Sequence, residues 1–316
     1  MELDELDRNI LTLLDRNCRA SAVELGEKLQ RSRQTIEYRI NRLEDQRVIT
    51  EYTCSFNPTS VGYRLYKVCL RLRNIPGEME KLCAELFKLG TVYWIGKTSG
   101  SWDLLFGIFY RDEREILSIV DRLAKGFRHV IVAHSGYLMV EILQYPKMYL
   151  TGETSSYREY AGAVRYEPLD ELDLTIIAKL ISNARLSFNA LGESLGVSSL
   201  LIQRRMKRME QAGIIFQYRI GVNLRLLGLE LYKAIITTDL YSGDEHRRFL
   251  EFISRRKEVQ FVVRNIWAIE LELVVPNYQV YEEIIDEIRK NFPKLIGSLD
   301  TLLLESDEWT PAFSNL

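Results

Sequence analysis

One pattern occurs twice in this chain of 316 residues, as SRQTIEYRINRLE at residues 32–44 and as SSLLIQRRMKRME at residues 198–210. A constant offset of 166 positions aligns the two stretches without a gap. The same offset aligns Leu6-Asp7 with Leu172-Asp173 and, far downstream, Leu65-Tyr66-Lys67 with Leu231-Tyr232-Lys233. A match in a single register over such a length is not expected by chance, so the chain consists of two homologous copies of one unit.

The first part of each copy predicts three short helices. In copy one, apolar residues recur at helical spacing from Leu3 to Leu14. A second helix follows over residues 21–29, where Ser21 and Glu24 have the spacing of a capping box. Ser32 caps a third helix, and its inward-facing residues are Ile36, Ile40 and Leu43. Three helices with a tight turn between the last two are typical of a helix-turn-helix module.

The third helix of each copy is basic. Between Lys28 and Arg47, six basic residues stand against three acidic ones, a balance of about +3. The matching region of copy two, with Arg219 included, has five basic residues and one acid, about +4. Such a helix suits the major groove, where Arg pairs with guanine and Gln with adenine. The candidate DNA-binding residues are Arg31, Arg33, Gln34, Thr35, Tyr38, Arg39, Arg42, Ser199, Gln203, Arg204, Arg205 and Arg208.

Two alternatives stay open for these helices. A charged helix can also be a solvated face of a packing domain, and arginines at these positions can close ion pairs within the module. The copies also differ: copy one has Gln30-Arg31 where copy two has Gly196-Val197, and Gly accepts a positive φ. Copy two has Leu200-Leu201 where copy one has Gln34-Thr35. We therefore expect that the two helices prefer different DNA sequences, or that one binds weakly.

The second part of each copy predicts the order βαββαβ, a ferredoxin-like α+β domain. In copy one the predicted elements are strand 65–72, helix 77–89, strands 92–97 and 103–110, helix 112–125 and strand 130–143. In copy two they are strand 232–237, helix 243–255, strands 259–264 and 269–275, helix 277–291 and strand 295–306. The predicted fold class is α+β, with two winged or helix-turn-helix domains and two ferredoxin-like domains in tandem.

Copy one resembles the N-terminal domain of the Lrp/AsnC (feast/famine) transcription regulators in the run Leu6-Asp7-x-x-Ile10-Leu11, Asn17-x-Arg19-x-Ser21, Glu24-Leu25 and Ser32-x-x-Thr35-Ile36-x-x-Arg39-Ile40. Residues 172–218 repeat the pattern. The resemblance implies sequence-specific binding of double-stranded DNA. It also implies that the ferredoxin-like domains dimerise and bind small effectors, often amino acids.

The resemblance also points to an effector loop, because the family carries a G-x-x-D element between the second and third strands. The matching candidates are Thr98, Gly100, Trp102 and Asp103. Gly lets backbone amides approach a carboxylate, and Asp can accept from an ammonium group. The alternative is a hairpin turn in which Gly supplies a positive φ and Asp caps the turn. Copy two has Trp267 in place of the glycine, so we expect that it has lost this type of binding.

The predicted domains are helix-turn-helix domain 1 (1–60), ferredoxin-like domain 1 (61–145), a linker (146–168), helix-turn-helix domain 2 (169–226) and ferredoxin-like domain 2 (227–316). Fusion would let one chain supply both halves of a dimeric regulator, either as an intramolecular pseudo-dimer or as part of a homo-oligomer. We would then expect an asymmetric operator rather than a palindromic one.

Composition adds limits to this prediction. The acidic start of the chain is unlike a signal peptide, and no apolar run is long enough to span a bilayer, so we expect a cytoplasmic protein. Cys18, Cys54, Cys69 and Cys83 lack metal-ligand spacing and are expected to be buried free thiols. No cofactor, metal or enzymatic activity is expected.

An enzyme is the alternative function. Siroheme decarboxylases also resemble paired Lrp/AsnC units, and they depend on histidine and arginine around the tetrapyrrole, with a His-x-Tyr-Asn-Leu-Trp-like stretch in the effector region. This chain has three histidines, His129, His134 and His246, and none lies in that region.

Overall fold

The computed structural model describes residues 3–152, 156–163 and 167–309. In chain order its elements are α1 (Glu5–Arg16), α2 (Ala22–Leu29), α3 (Arg33–Asp45), β1 (Ile49–Phe56), β2 (Arg64–Leu72), α4 (Glu78–Phe87), β3 (Val92–Gly100), β4 (Leu104–Tyr110), α5 (Glu113–Phe127), β5 (Ile131–Met139), β6 (Glu141–Gln144), β7 (Arg158–Tyr160), α6 (Glu171–Ser182), α7 (Phe188–Leu195), α8 (Ser199–Gln211), β8 (Ile215–Val222), β9 (Glu230–Thr238), α9 (Gly243–Ile253), β10 (Val259–Arg264), β11 (Ala268–Val275), α10 (Tyr278–Asn291) and β12 (Ile296–Trp309). Within these ranges, no helix is long and apolar enough to cross a membrane.

Side-chain caps begin the helices of both helix-turn-helix modules. Asp4 forms a capping box at α1 and Asp170 forms the same box at α6, while Ser21 and Glu24 form the box predicted at α2. The Ser32 hydroxyl accepts from the backbone N–H of Thr35 and so starts α3. Each box satisfies backbone donors that would otherwise have no partner, which fixes where these short helices start.

The turn between the last two helices has the same backbone in both copies despite its different sequence. Gln30 has a φ of +53°, in the left-handed region that Gly196 occupies with a φ of +67°. A Cβ on Gly26 would lie 2.6 Å from the Arg31 carbonyl oxygen, so the helix before the turn approaches the next one too closely for any side chain there. Copy one therefore keeps the motif and accommodates a strained glutamine within it.

A two-stranded antiparallel ribbon joins the two modules. β1 follows α3, β8 follows α8, and the two strands pair along their whole length, with Cys54 opposite Tyr218. The sequence patterns did not predict these strands. Each would be an unpaired edge on its own, so the ribbon exists only because the two copies meet.

Each copy contains the predicted ferredoxin-like sheet. The strand order is β5-β2-β4-β3 in copy one and β12-β9-β11-β10 in copy two, which is the split βαββαβ arrangement. α4 and α5 cover one face of the first sheet through Leu82, Leu86, Ile119 and Leu123. Burying each such side chain contributes about 1.5–3 kcal/mol.

The two sheets form one ten-stranded sheet that curls back on itself. β12 pairs with β9 of its own copy and continues alongside β3 of the other. The strand predicted over 130–143 is interrupted at Val140: β5 pairs with β2 at one edge of the sheet, and β6 pairs with β10 near the other. The last strand of each copy therefore holds the other copy, and the inner face of the curled sheet is enclosed between them.

Part of the predicted linker is packed against the two copies. β7 adds to the sheet beside β6, and Met148 and Leu150 are buried. Residues 153–155 and 164–166 of that linker lie outside the described residues. The connection between the copies is thus built into the fold over much of its described length.

Candidate nucleic-acid interface and ligand cavity

Exposed polar side chains lie at the start of α3 and, in α8, from its second turn onward. In copy one, Arg31, Arg33 and Gln34 are exposed, and Tyr38 is 65% exposed one turn further on. In copy two, Gln203, Arg204 and Lys207 are exposed together with the apolar Leu200. Thr35 and Ser199 are half-buried near the caps, so they contribute less surface. This is the end by which recognition helices enter the major groove.

Four of the candidate arginines lie in ion pairs inside their modules. Arg39 Nη1 lies 3.0 Å from Oδ1 of Asp7, and Arg42 Nη2 lies 2.5 Å from the other oxygen of the same carboxylate. Asp7 is 1% exposed. Arg205 and Arg208 make the equivalent pairs with the buried Asp173. The structure therefore uses these arginines to join α3 to α1 and α8 to α6, and their contact with DNA stays a prediction.

Two equivalent arginines lock the modules together across the ribbon. Arg19 of copy one donates to the carbonyl oxygens of Ala184 and Leu186, at 2.5 and 2.9 Å. Arg185 of copy two donates to the Tyr52 hydroxyl at 3.1 Å and lies over the ring of that tyrosine. Charge-assisted hydrogen bonds of this kind are strong and directional, so α3 and α8 are held in a fixed relation to each other.

Two side chains of the predicted effector loop form hydrogen bonds within the protein. The Asp103 carboxylate accepts from the backbone N–H of Leu72 at 2.7 Å, and the Thr98 hydroxyl donates to the carbonyl oxygen of Trp102. Gly100 has a φ of +136°, and a Cβ there would lie 2.5 Å from the carbonyl oxygen of Thr301 on β12. Gly100 thus has the positive φ of the turn alternative, but Asp103 bonds to β2 rather than capping the turn, and effector binding at this loop stays a prediction.

An open cavity lies elsewhere, between the ribbon and the curled sheet. This cavity of about 1090 Å³ is lined by residues of both copies and of the segment that connects them. Its aromatic walls include Phe56, Tyr93, Tyr160, Phe216 and Phe261. Sequence reasoning missed it because its walls come from strands far apart in the chain, and no local motif marks them.

A buried group of charges borders the cavity. Asp15 of α1 lies 3.3 Å from Arg219 Nε and 3.5 Å from Lys147 Nζ. The prediction that Arg219 adds to the positive surface of the second DNA module is wrong, because its side chain is 7% exposed and pairs with Asp15 inside the fold. Burial, and then Arg219, lower the pKa of Lys147 to about 8, against the attraction of Asp15. Burial would raise the pKa of Asp15, but the two cations hold it below its ordinary value.

Other reactive residues have structural surroundings. The exposed His129 pairs with Glu78 and the buried His246 with Glu141, and neither lines the cavity. All four cysteines are buried and free, as predicted. Burial raises the pKa of Cys18 and of Cys69 to about 12, which keeps both as unreactive thiols at neutral pH. In the described part of the chain, no group of three His, Cys, Asp or Glu side chains could hold a metal ion.

Comparison with known solved structures corrects one expectation. A crystal structure of the siroheme decarboxylase NirDL matches 96% of this chain and 92% of its own, with a TM-score of 0.63 and 10% sequence identity. At that identity the likeness shows the fold alone. This likeness is nevertheless to an enzyme, so it contradicts the expectation that this chain has no enzymatic activity. A known catalyst has the same architecture.

Comparison with known sequences identifies the family. A model of the AsnC-type helix-turn-helix domain matches residues 3–44 and again residues 169–210. An HTH-type transcriptional regulator of Pyrococcus abyssi is 30% identical over 126 residues, 40% of this chain and 79% of its own. The regulator LrpC of Bacillus subtilis is 31% identical over 125 residues, 40% of this chain and 85% of its own. Two such modules on two ferredoxin-like domains, with relatives of this identity and coverage, mean that the chain belongs to the Lrp/AsnC family.

Proposed function

We propose that this protein is a sequence-specific DNA-binding transcription regulator, modulated by a small molecule, in which one chain acts as a pseudo-dimer. One observation carries the proposal: two helix-turn-helix modules are fixed to each other by the β1–β8 ribbon and by Arg19 and Arg185. Dimeric regulators need two recognition helices at a set spacing to meet two half-sites. Here one polypeptide supplies both.

The contact residues that best support the proposal are the exposed ones. They are Arg31, Arg33, Gln34 and Tyr38 in copy one and Gln203, Arg204 and Lys207 in copy two. Arginine and lysine at the edge of the helix suit phosphates, and Arg33 and Gln34 lie in the first turn of α3, where base edges are read. The ion-paired Arg39, Arg42, Arg205 and Arg208 hold the helices of their modules together.

The two recognition surfaces are chemically unequal, and this favours an asymmetric operator. Leu200, 54% exposed, occupies the position of Gln34 and can contact a thymine methyl group but cannot pair with adenine. Arg204 occupies the position of Tyr38 and adds a charge. Two such helices at a fixed spacing match two different half-sites.

Fluorescence anisotropy with labelled DNA from upstream of the protein's own gene, scanned against salt, tests the proposal. We expect binding that survives near-physiological salt and exceeds binding to an unrelated duplex of the same length. A footprint should cover two half-sites of different sequence. Equal, weak binding to both duplexes that disappears in moderate salt would leave only nonspecific electrostatics and would overturn the proposal.

A second candidate function is an enzyme acting on a tetrapyrrole. The whole-chain likeness to NirDL, one of whose structures contains an iron-uroporphyrin III analogue, and the size of the cavity favour it. The residues that line the cavity give the enzyme little support, because Arg219 and Lys147 both pair with Asp15 and the described histidines lie elsewhere. Titration with siroheme, followed by its absorbance, would show a stoichiometric spectral shift if this candidate holds.

A further inference from the structure

The cavity between the ribbon and the curled sheet carries an inference that the family resemblance does not. We propose that it binds a small molecule with an aromatic body and a single anionic group, and that this molecule acts on DNA binding through the ribbon. The second half of the proposal rests on the proposed function. The site is distinct from the loop at Gly100 and Asp103, which does not line the cavity.

The charge at one end of the cavity defines the anionic group. Lys147 and Arg219 carry two positive charges against the single negative charge of Asp15, and all three side chains are at most 12% exposed. An uncompensated charge is costly in such surroundings. Glu51 on β1 is a further acid that acts on Lys147, and it is exposed to solvent, which screens it. An anionic group beside Lys147 would balance the second positive charge.

The walls define the body of the molecule. Tyr160 and Phe216 lie with ring centroids 5.3 Å apart, and Tyr93 stacks on Phe109 at 4.1 Å, all along the same cavity. Aromatic rings prefer offset or edge contacts with other rings, so such walls select a flat ring system. Ligand cavities usually measure about 300–1000 Å³, so this volume suits a molecule of several rings rather than a free amino acid.

The position of the cavity links it to the DNA modules. β1 begins at Ile49, shortly after α3 ends at Asp45, and β8 begins at Ile215, shortly after α8 ends at Gln211. Both strands line the cavity. A molecule seated there touches the ribbon whose two strands follow the two recognition helices, so its binding energy can favour one arrangement of them over another.

A matched pair of fluorescent probes tests the site. Anilinonaphthalene sulfonate has an aromatic body and one anionic group, and phenylnaphthylamine has the same rings without the charge. We expect the sulfonate to bind once per chain. Lys147→Met and Lys147→Gln should each weaken it by about tenfold, the loss of one buried charge contact, and leave phenylnaphthylamine unchanged. Ser55→Trp, which fills the cavity beside Gln144, should weaken both probes.

Controls and a pH series complete this test. Lys125→Met removes an exposed lysine paired with Asp121 and should change neither probe. Because burial lowers the pKa of Lys147 to about 8 while Asp15, Arg219 and Glu51 face it, sulfonate affinity should fall as the pH rises through that value. Sulfonate binding that is unaffected in folded Lys147→Met and Lys147→Gln, or in folded Ser55→Trp, overturns the site. The probe would then lie elsewhere, for example on the exposed Ile266 and Trp267.

The regulatory half is tested on DNA. Anisotropy titrations with and without the sulfonate should give different DNA affinities for the wild type and equal ones for Lys147→Met. Equal affinities in the wild type, at saturating probe, overturn the coupling. If DNA does not bind specifically but the probe results are as expected, the proposed function fails while the site stands.

Discussion

The two ferredoxin-like domains contribute unequally to the charges buried between them. On the inner face of the curled sheet, Lys67 Nζ lies 2.7 Å and Lys233 Nζ lies 2.9 Å from the same Glu270 oxygen. The Tyr137 hydroxyl donates to the second oxygen at 2.9 Å, and Trp94 lies under both ammonium groups. Burial would raise the pKa of Glu270, but Lys233 and Lys67 hold it well below its ordinary value.

The lysines are equivalent in the two copies, but the acids are not. Lys233 also pairs with Glu272, so both carboxylates come from β11 of copy two. At the matching places on β4, copy one has Leu105 and Gly107. Two copy-one domains would bury two lysines without an acid, and two copy-two domains would bury twice as many acids as lysines. Only one domain of each kind, as in this chain, brings together nearly equal numbers of buried lysines and acids. This indicates that fusion allowed the two halves to become complementary in charge.

The largest effect should come from Glu270. Glu270→Leu leaves Lys67 and Lys233 buried without their shared acid and should lower the free energy of unfolding by about 3–5 kcal/mol. Urea denaturation measures it, with the exposed Glu283→Gln as a control that should change little. The double variant Glu270→Leu with Leu105→Glu moves the acid to the equivalent place in copy one and should recover part of the loss. No recovery would mean that the copies are not interchangeable at this position.

The next effect concerns the two equivalent junctions between module and sheet. Asp15 and Arg219 stand in one junction where Ile181 and Thr53 stand in the other, so the buried lysine belongs to one side only. The Lys147 pKa falls from an ordinary 10.5 to about 8 on folding. Between these values the unfolded chain binds more protons, so this lysine makes stability rise with pH there, by up to about 3 kcal/mol.

This contribution is measured as a difference between proteins, because tyrosines with raised pKa act in the opposite direction at high pH. The free energy of unfolding of the wild type minus that of Lys147→Met should increase from about pH 7.5 to about pH 9.5, a range that encloses the folded pKa and stays below the ordinary one. Lys125→Met should follow the wild type at every pH. A constant difference between wild type and Lys147→Met would show that folding does not lower the pKa of Lys147.

Local signals were enough to predict the helices and the sheet domains. The capping box at Ser21 and Glu24 and the two βαββαβ patterns depend on neighbours in sequence, and the structure has them, except that the strand predicted over 130–143 is interrupted at Val140. The ribbon, the cavity and the lysine–glutamate cluster depend on pairs such as Lys67 and Glu270, which are 203 positions apart. No spacing rule connects such residues. The one available signal was the matching Asn17-x-Arg19 and Asn183-x-Arg185, whose arginines cross between the copies.

The smallest effect should separate the two kinds of arginine on the recognition helices. Arg33 is exposed, whereas Arg39 pairs with the buried Asp7. Arg33→Ala should weaken DNA binding by about 1 kcal/mol and lower the salt slope by about one unit, without changing the free energy of unfolding. Ser199→Arg, which gives copy two the same residue, should raise the slope by a similar amount. Arg39→Ala should instead lower the free energy of unfolding by about 1–3 kcal/mol, because Asp7 loses a charged partner.

Anisotropy against salt and urea denaturation of the same three variants distinguish these roles. If Arg39→Ala lowered the salt slope as much as Arg33→Ala and left stability unchanged, Arg39 would have to leave Asp7 when DNA binds. α1 would then lose a bond to α3 at the moment of recognition. The same measurement on Arg205→Ala, whose partners are the equivalent Asp170 and Asp173, would show whether both modules behave alike. Equal effects of Arg39→Ala and Arg205→Ala, together with unequal effects of Arg33→Ala and Ser199→Arg on the salt slope, would locate the divergence of the copies on their DNA-facing surfaces alone.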